Sequence, residues 1–329
     1  MKKFVIATLI GALSASVLIS PSAQASTPVI CLAYDTGGPG DLSFNDAAQT
    51  GLKIAAKKMQ FTLETTVTSG DAKDRIDRVT ALVKKDCTIV IAVGTGYAAT
   101  LKELSLVFPE TQFAILNDAT VDALNVTSIV FADVQGAYLA GYAAALASKS
   151  GKVAMVGYAS QKDLFDQGFA PGARAARKSI TTNIRYISTS ASSATTSLLR
   201  SGHDVIYLTT TGSATEVFSA IVSSNSVNRS KNSVGLITVE PDQFLSVTTS
   251  TKRFVLATVV KRVDLALIDL LTKTIEGSSL YDEVDPELGI YGHRYGISDK
   301  CIEITLRTPA LVSKAAAINS ASIAASKLN

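Results

Sequence analysis

Short, β-branched apolar runs alternate with amphipathic helical stretches along most of this chain, and that alternation constrains the fold more than any other feature. Val29 to Tyr34 precedes a helical pattern over Phe44 to Lys58; Phe61 to Thr68, Lys73 to Lys85, Thr88 to Val93, Ala98 to Phe108 and Phe113 to Leu116 then continue the series. Strands separated by helices pair in parallel, with the helices covering the sheet faces. A second series starts at Val126 to Phe131 and runs through a helix over about Gln135 to Lys149, strand Val153 to Tyr158 and a helix near Phe169 to Ser179. Strands Ile184 to Ser188 and Asp204 to Leu208, a helix over Val217 to Ser223 and strand Val234 to Val239 complete it. The expected class is α/β, with two doubly wound parallel-sheet lobes. Phe254 to Val260 reads as a strand, Arg262 to Glu276 as a helix rejoining the first lobe, and Pro309 to Lys327 as a closing helix.

The N-terminus reads as an export signal over residues 1–25. Lys2 and Lys3 form a basic start, Phe4 to about Ile19 an apolar stretch, and Ala23-Gln-Ala a small-residue cleavage site. The cysteine nearest that point, Cys31, lies within a strand-like run, so no lipid anchor is expected, and the product should be periplasmic, secreted or at the cell surface. The roughly 300 residues that remain suit two domains. Without Lys2 and Lys3, the 31 basic and 28 acidic side chains leave a net charge of +1, which points to neither nucleic acid nor an anionic membrane. The three cysteines have no metal-ligand spacing; they read as small buried hydrophobes, with one disulfide of open pairing as the alternative.

Parallel sheets bind ligands beyond the carboxyl ends of their strands, and two facing lobes put those ends on one cleft. The segments to watch are therefore Asp35 to Asn45, Gly94 to Tyr97, Asn117 with Asp118, Gln161 to Phe165, Thr209 to Gly212 and Glu240 to Gln243. In the first, Ser43 is a candidate N-cap that would leave Phe44 and Asn45 at a helix mouth. A ring and an amide there suit a flat heterocycle, although Phe44 could instead pack beneath the loop. Enzyme readings find little support. The only histidines are His203, in a loop, and His293, in a turn-like Tyr291 to Gly296 segment, and neither Gly-x-Ser-x-Gly nor a phosphate-binding Gly-x-x-x-x-Gly-Lys occurs. No cofactor, metal site or catalytic residue is assigned, and hydrolysis of a nucleoside by paired carboxylates is a minor alternative.

At the first loop the chain resembles the basic membrane protein (BMP) family of receptors, which includes a purine nucleoside receptor. Asp35 to Asn45 is similar to that family's Asp-Gly-Gly…Asp-Lys-Ser-Phe-Asn signature, with Leu42 where lysine is usual. Asn125 to Leu146, Gly151 to Gly157, the Phe165-Asp-Gln-Gly-Phe-Ala-Pro-Gly-Ala run, Asp204 to Tyr207, Val239 to Gln243 and Thr258 to Asp264 follow in family order.

The resemblance implies a type I periplasmic-binding-protein fold with three crossings, placed near residues 131, 254 and 286. The lobes would be residues 26–130 plus 255–285 and 131–254 plus 286–329. It further implies a receptor, not an enzyme, that closes on a nucleoside, most simply a purine, and delivers it as a monomer to an inner-membrane ABC permease. Phe44 and Phe165 would sandwich the base, with Asn45 and either Asn117 or Asp118 at its polar edge. Asp35 would also line the site; Glu240 or Asp242, with Lys261, would hold the ribose; and Gly94, Thr95, Thr211 and Gly212 would complete the pocket. Flavin or sugar receptors of the same fold, or an adhesin built on it, are the alternatives.

Overall fold

The computed structural model describes residues 27–159, 165–187, 191–209, 214–227, 233–239, 244–245, 247–278 and 283–328. The expected export signal lies outside them. The first series is β1 (Val29–Tyr34), α1 (Phe44–Ala55), β2 (Thr62–Val67), α2 (Ala72–Val83), β3 (Ile89–Val93), α3 (Ala98–Val107), β4 (Phe113–Leu116) and β5 (Val126–Phe131). The second is α4 (Asp133–Ala147), β6 (Lys152–Tyr158), α5 (Asp166–Ala176), β7 (Thr181–Ile187), α6 (Ala191–Arg200), β8 (Val205–Leu208), α7 (Ala214–Val227), β9 (Gly235–Thr238), α8 (Thr249–Lys252) and β10 (Val255–Lys261). Then come α9 (Val263–Ile275), β11 (Val284–Asp285), β12 (Ile290–Tyr295), β13 (Ile302–Leu306), α10 (Pro309–Val312) and α11 (Ala315–Ala325).

Two sheets result, ordered β11-β12-β5-β4-β3-β1-β2 and β13-β10-β9-β8-β6-β7. All pairings are parallel except β11 with β12 and β10 with β13, both at sheet edges. The two-residue period of a strand sends alternate side chains to opposite helix layers. Ile30, Leu32 and Tyr34 of β1 join the core that includes α1 and α9, whereas Cys31 and Ala33 join the one built on α2 and α3.

No helix among the described residues is long and apolar enough to cross a membrane.

Among the described residues the chain crosses between sheets three times: at Ala132, at Arg262, and over Gly296 to Cys301. The first lies next to the expected crossing near residue 131. The other two do not lie at the expected places: β10 was expected in the first lobe but pairs with β9 and β13 of the second sheet, and β12 was expected in the second lobe but pairs with β5 of the first. The return to the first sheet's layers is made only at α9, which packs on α1 so closely that a Cβ on Gly51 would meet Asp264 O at 2.9 Å. His293, expected in a turn, sits in β12. Gly292 beside it has φ 142°, and a Cβ there would strike the Ser128 backbone, so the glycine that suggested a turn is what the strand pairing demands.

The crossings share a local solution. Ala132 (φ −75°, ψ 73°) and Arg262 (φ −80°, ψ 66°) both adopt the inverse γ-turn conformation between a strand and a helix. Their N–H groups donate to Tyr295 O and Cys301 O at the two ends of the third crossing, each over 2.9 Å. Gln135 of α4 accepts the Ile297 N–H at 2.8 Å and donates to Leu328 O at 2.8 Å. On the first-sheet side, His293 Nδ1 meets Glu283 at 2.9 Å and Nε2 meets Asp299 of the third crossing at 3.4 Å. Glu283 also pairs with Lys273 of α9, and Asp269 of α9 accepts from Tyr295 Oη.

Of the cysteines, Cys31 in β1 is bonded to Cys87, with Cα atoms 5.9 Å apart, and Cys301 is free and buried. The favoured reading of three unpaired thiols is thus corrected. Cys87 lies two residues before β3, the neighbour of β1, which brings the two sulfurs together across the sheet.

Because the bridge closes 56 residues of chain, the Cys31→Ala/Cys87→Ala variant should lose about 2–4 kcal/mol in guanidinium unfolding; an unchanged midpoint would contradict this. A second expectation concerns pH. The hydrogen bond to Glu283 raises the His293 pKa above its ordinary 6.5, so its contribution is complete below 6.5 and fades as pH rises through the raised value. His293, with help from Lys273 against the opposing effect of burial, holds Glu283 down at about 2, so that contribution is present above the usual 4.5 and is lost only as pH falls toward 2. The melting temperature should therefore decline on the alkaline side, and His293→Gln should flatten that decline in calorimetry.

Candidate functional site

The first-sheet half of the cleft is built on loops that follow β1 to β5. After β1, the Asn45 amide closes on the Asp35 backbone, accepting its N–H at 3.0 Å and donating to its C=O at 3.3 Å. Asn45 is buried, so this amide first of all fixes the loop. The start of α1 is capped by Asp41, whose carboxylate accepts from the N–H groups of Ser43, Asn45 and Asp46. Ser43 occupies the N-cap position without a side-chain cap bond, a correction to its expected role: the longer reach of Asp41 satisfies the same orphan donors. Phe44 is left half-buried at the helix mouth.

After β2, Asp74 accepts from Arg78, the Ser69 N–H and the Thr68 hydroxyl, which hold its carboxyl well below the usual range and fasten the loop before α2. After β3, Gly94 has φ 94°, a conformation side chains rarely adopt, and Thr95 is exposed in the turn that follows. Tyr97 is fully buried and donates to Tyr34 O at 2.8 Å; burial raises its pKa.

After β4, the open choice between Asn117 and Asp118 acquires a geometry. Asp118 turns back on its own loop, accepting from Thr120 N–H at 2.7 Å and its hydroxyl at 2.6 Å. Asn117, in a left-handed conformation at φ 63°, accepts instead from Lys261 Nζ at 3.4 Å.

Lys261 is the residue at which the two sheets meet. It ends β10 in the second sheet, is 4% exposed, and pairs with Asp133 at 2.8 Å. Its ammonium lies 5.8 Å from the centroids of both Phe131, at the end of β5, and Phe165, just before α5. A buried ammonium is tolerable only when paired and hydrogen-bonded, and here its partners come from both sheets. Phe165 is 2% exposed and meets Tyr207 edge-on at 6.3 Å. Among the described residues no direct ring contact joins Phe44 to Phe165. Thr211, Gly212, Glu240 and Asp242 lie outside the described residues.

Sequence reasoning passed over Arg75, Asp133 and Phe131. Arg75 fell within an expected helix, Asp133 between an expected strand and helix, and Phe131 at the end of an expected strand, with no local pattern to mark them. A separate cavity of about 320 Å³ opens at the crossings, lined in part by Gln135, Glu283, Asp285, His293 and Arg294. Its charges are already matched, Asp285 with Arg294 and Glu283 with Lys273 and His293, which makes it a poor competitor to the strand ends as a ligand site.

Comparison with known proteins agrees with this architecture. Residues 29–329 match the model of the Bmp family, described as ABC transporter substrate-binding protein PnrA-like. A relative from Lactococcus lactis subsp. cremoris, an ABC transporter nucleoside-binding protein called BmpA, is 29% identical over 259 residues, which cover 74% of each chain. Among solved structures, a transcriptional activator of the comK gene from Bacillus halodurans superposes with a TM-score of 0.68 at 19% identity, covering 90% of this chain and 97% of that one. An ABC transporter solute-binding protein from Conexibacter woesei gives 0.66 at 16% identity, covering 92% and 98%. These two share the fold. The matched family is one of solute-binding proteins and not of enzymes, and the chain belongs to it: it is a Bmp-family, PnrA-like ABC transporter substrate-binding protein.

Proposed function

We propose that this chain is the extracytoplasmic receptor of an ABC importer, that its ligand is a nucleoside, most simply a purine nucleoside, and that it hands this ligand to a membrane permease as a monomer. One observation carries the reading: Lys261 of the second sheet is buried against Asn117 and Phe131 of the first, at the carboxyl ends of the strands. A donor and aromatic rings at one point between two sheets suit a molecule with a flat apolar part and a hydroxylated part. The name of the Lactococcus lactis relative supports the ligand class.

In this reading Phe44, half-buried at the helix mouth, stacks on the base, and Lys261 donates to ribose hydroxyls beside Glu240 or Asp242. Phe165 offers a face only when the lobes move apart. The lobes, residues 27–131, 263–295 and the remainder, turn about Ala132, Arg262 and the third crossing, and the ligand's higher affinity for the closed form draws them together.

Isothermal titration of residues 27–329 tests the ligand, after unfolding and refolding to remove any carried-over molecule. Adenosine, guanosine, inosine, cytidine, riboflavin and ribose are the probes. A purine nucleoside is expected to bind at about micromolar Kd, near 8 kcal/mol, and Phe44→Ala to lose about 1–3 kcal/mol of it. Heat only with riboflavin or ribose would overturn the nucleoside assignment, and release of free base on incubation would turn the reading toward a hydrolase. Small-angle scattering should show a smaller radius of gyration with ligand; equal dimensions would end the closure model.

A further inference from the structure

We infer that Arg75 is a positioning residue for ligand binding, holding Asp35 so that one carboxylate oxygen is offered to a hydroxyl of the ligand; this rests on the nucleoside reading above. Arg75 lies in the first turn of α2 and ties together the loops after three neighbouring strands. Its Nη1 donates to Gly70 O at 2.7 Å, after β2, and its Nη2 to Asp35 Oδ1 at 2.8 Å, after β1. After β3, a Cβ on Gly96 would come within 2.7 Å of the same Nη2, so the glycine leaves room for the guanidinium to pass. The guanidinium also sits 5.4 Å from the ring centroid of the buried Tyr97. The Arg75 side chain is 15% exposed and that of Asp35 33%. The anchored partner is thus the arginine, and the carboxylate stays partly open to solvent.

Asp35 is held at both ends. Asn45 fixes its backbone, and Arg75, with a longer contact from the Thr36 hydroxyl, takes Oδ1. Its Oδ2 lies 3.3 Å from where a Cβ on Gly94 would be, facing a residue that has none. A carboxylate oxygen with its twin engaged and a glycine opposite is a preorganised acceptor for a hydroxyl donor. The planar guanidinium can reach Gly70 and Asp35 together, which a lysine ammonium does less well.

The experiment is a double-mutant cycle read by titration with a purine nucleoside and its 2′-, 3′- and 5′-deoxy counterparts. Arg75→Gln and Asp35→Asn should each weaken the parent nucleoside about tenfold to a hundredfold. Neither should weaken further the one deoxy counterpart that lacks the recognised hydroxyl. The double variant should be no worse than Asp35→Asn alone, and Arg75→Lys should fall between wild type and Arg75→Gln, which keeps the test valid if the glutamine variant folds poorly. Equal losses for every nucleoside, or losses that add in the double variant, would overturn the inference while leaving the receptor reading intact. Failure of the wild-type chain to bind any nucleoside would remove both.

Discussion

The ammonium of Lys261 is nearly sealed from water, and the arrangement of the two sheets around it follows from that one requirement. An unpaired charge at such depth would cost several kcal/mol or would be discharged. Its carboxylate, Asp133, is the first residue of α4, directly after a crossing, and its amide partner, Asn117, closes β4 of the opposite sheet. The aromatic rings of Phe131 and Phe165, one from each side, complete the enclosure. Moving either sheet relative to the other disturbs a neutralised charge, so the relative placement of the lobes and the chemistry of the site are coupled in one cluster.

The crossings reinforce this coupling. Two of them share one backbone conformation, and both are hydrogen-bonded to the third, so the strands that link the lobes are three connections acting through a common set of main-chain bonds. A turn at any one of them has to be shared by the others. The ionic cluster of Glu283, His293, Asp299 and Lys273 ties the third crossing to the first sheet and to α9.

The fold was largely legible because parallel strands bury both faces and announce themselves as continuous apolar runs: β1, β3, β4 and β5 are apolar nearly throughout. What escaped was of two kinds. Strand partnership is not written in a run's own composition, so Val255–Lys261 could be recognised as a strand while being given to the wrong sheet. Strands near a sheet edge are also more polar; Ile290–Tyr295, covered on its outer side only by the two-residue β11, holds a glycine, a histidine and an arginine, and its glycine answers to the neighbouring backbone instead of to a turn. At the candidate site, the segments after each strand were proposed from position and Lys261 from the family resemblance. The partners that orient them were not, since Arg75 reaches Asp35 across 40 residues and Asp133 reaches Lys261 only through the crossing. No local pattern records either meeting.

The contact between α4 and α5 also bears on how motion travels. Gly141, Gly168 and Gly172 leave no side chain between the two helices, and a Cβ at any of them would run into the facing backbone, at Phe169, Val134 and Tyr138 respectively. Packing through side chains has some give, because rotamers can adjust; backbone against backbone has almost none. The pair therefore behaves as a single stiff body, and Phe165 sits at the end of it that lies beside Ala132. A rotation at that crossing, shared with the other two, would carry α4, α5 and Phe165 together without deforming the contact between the helices.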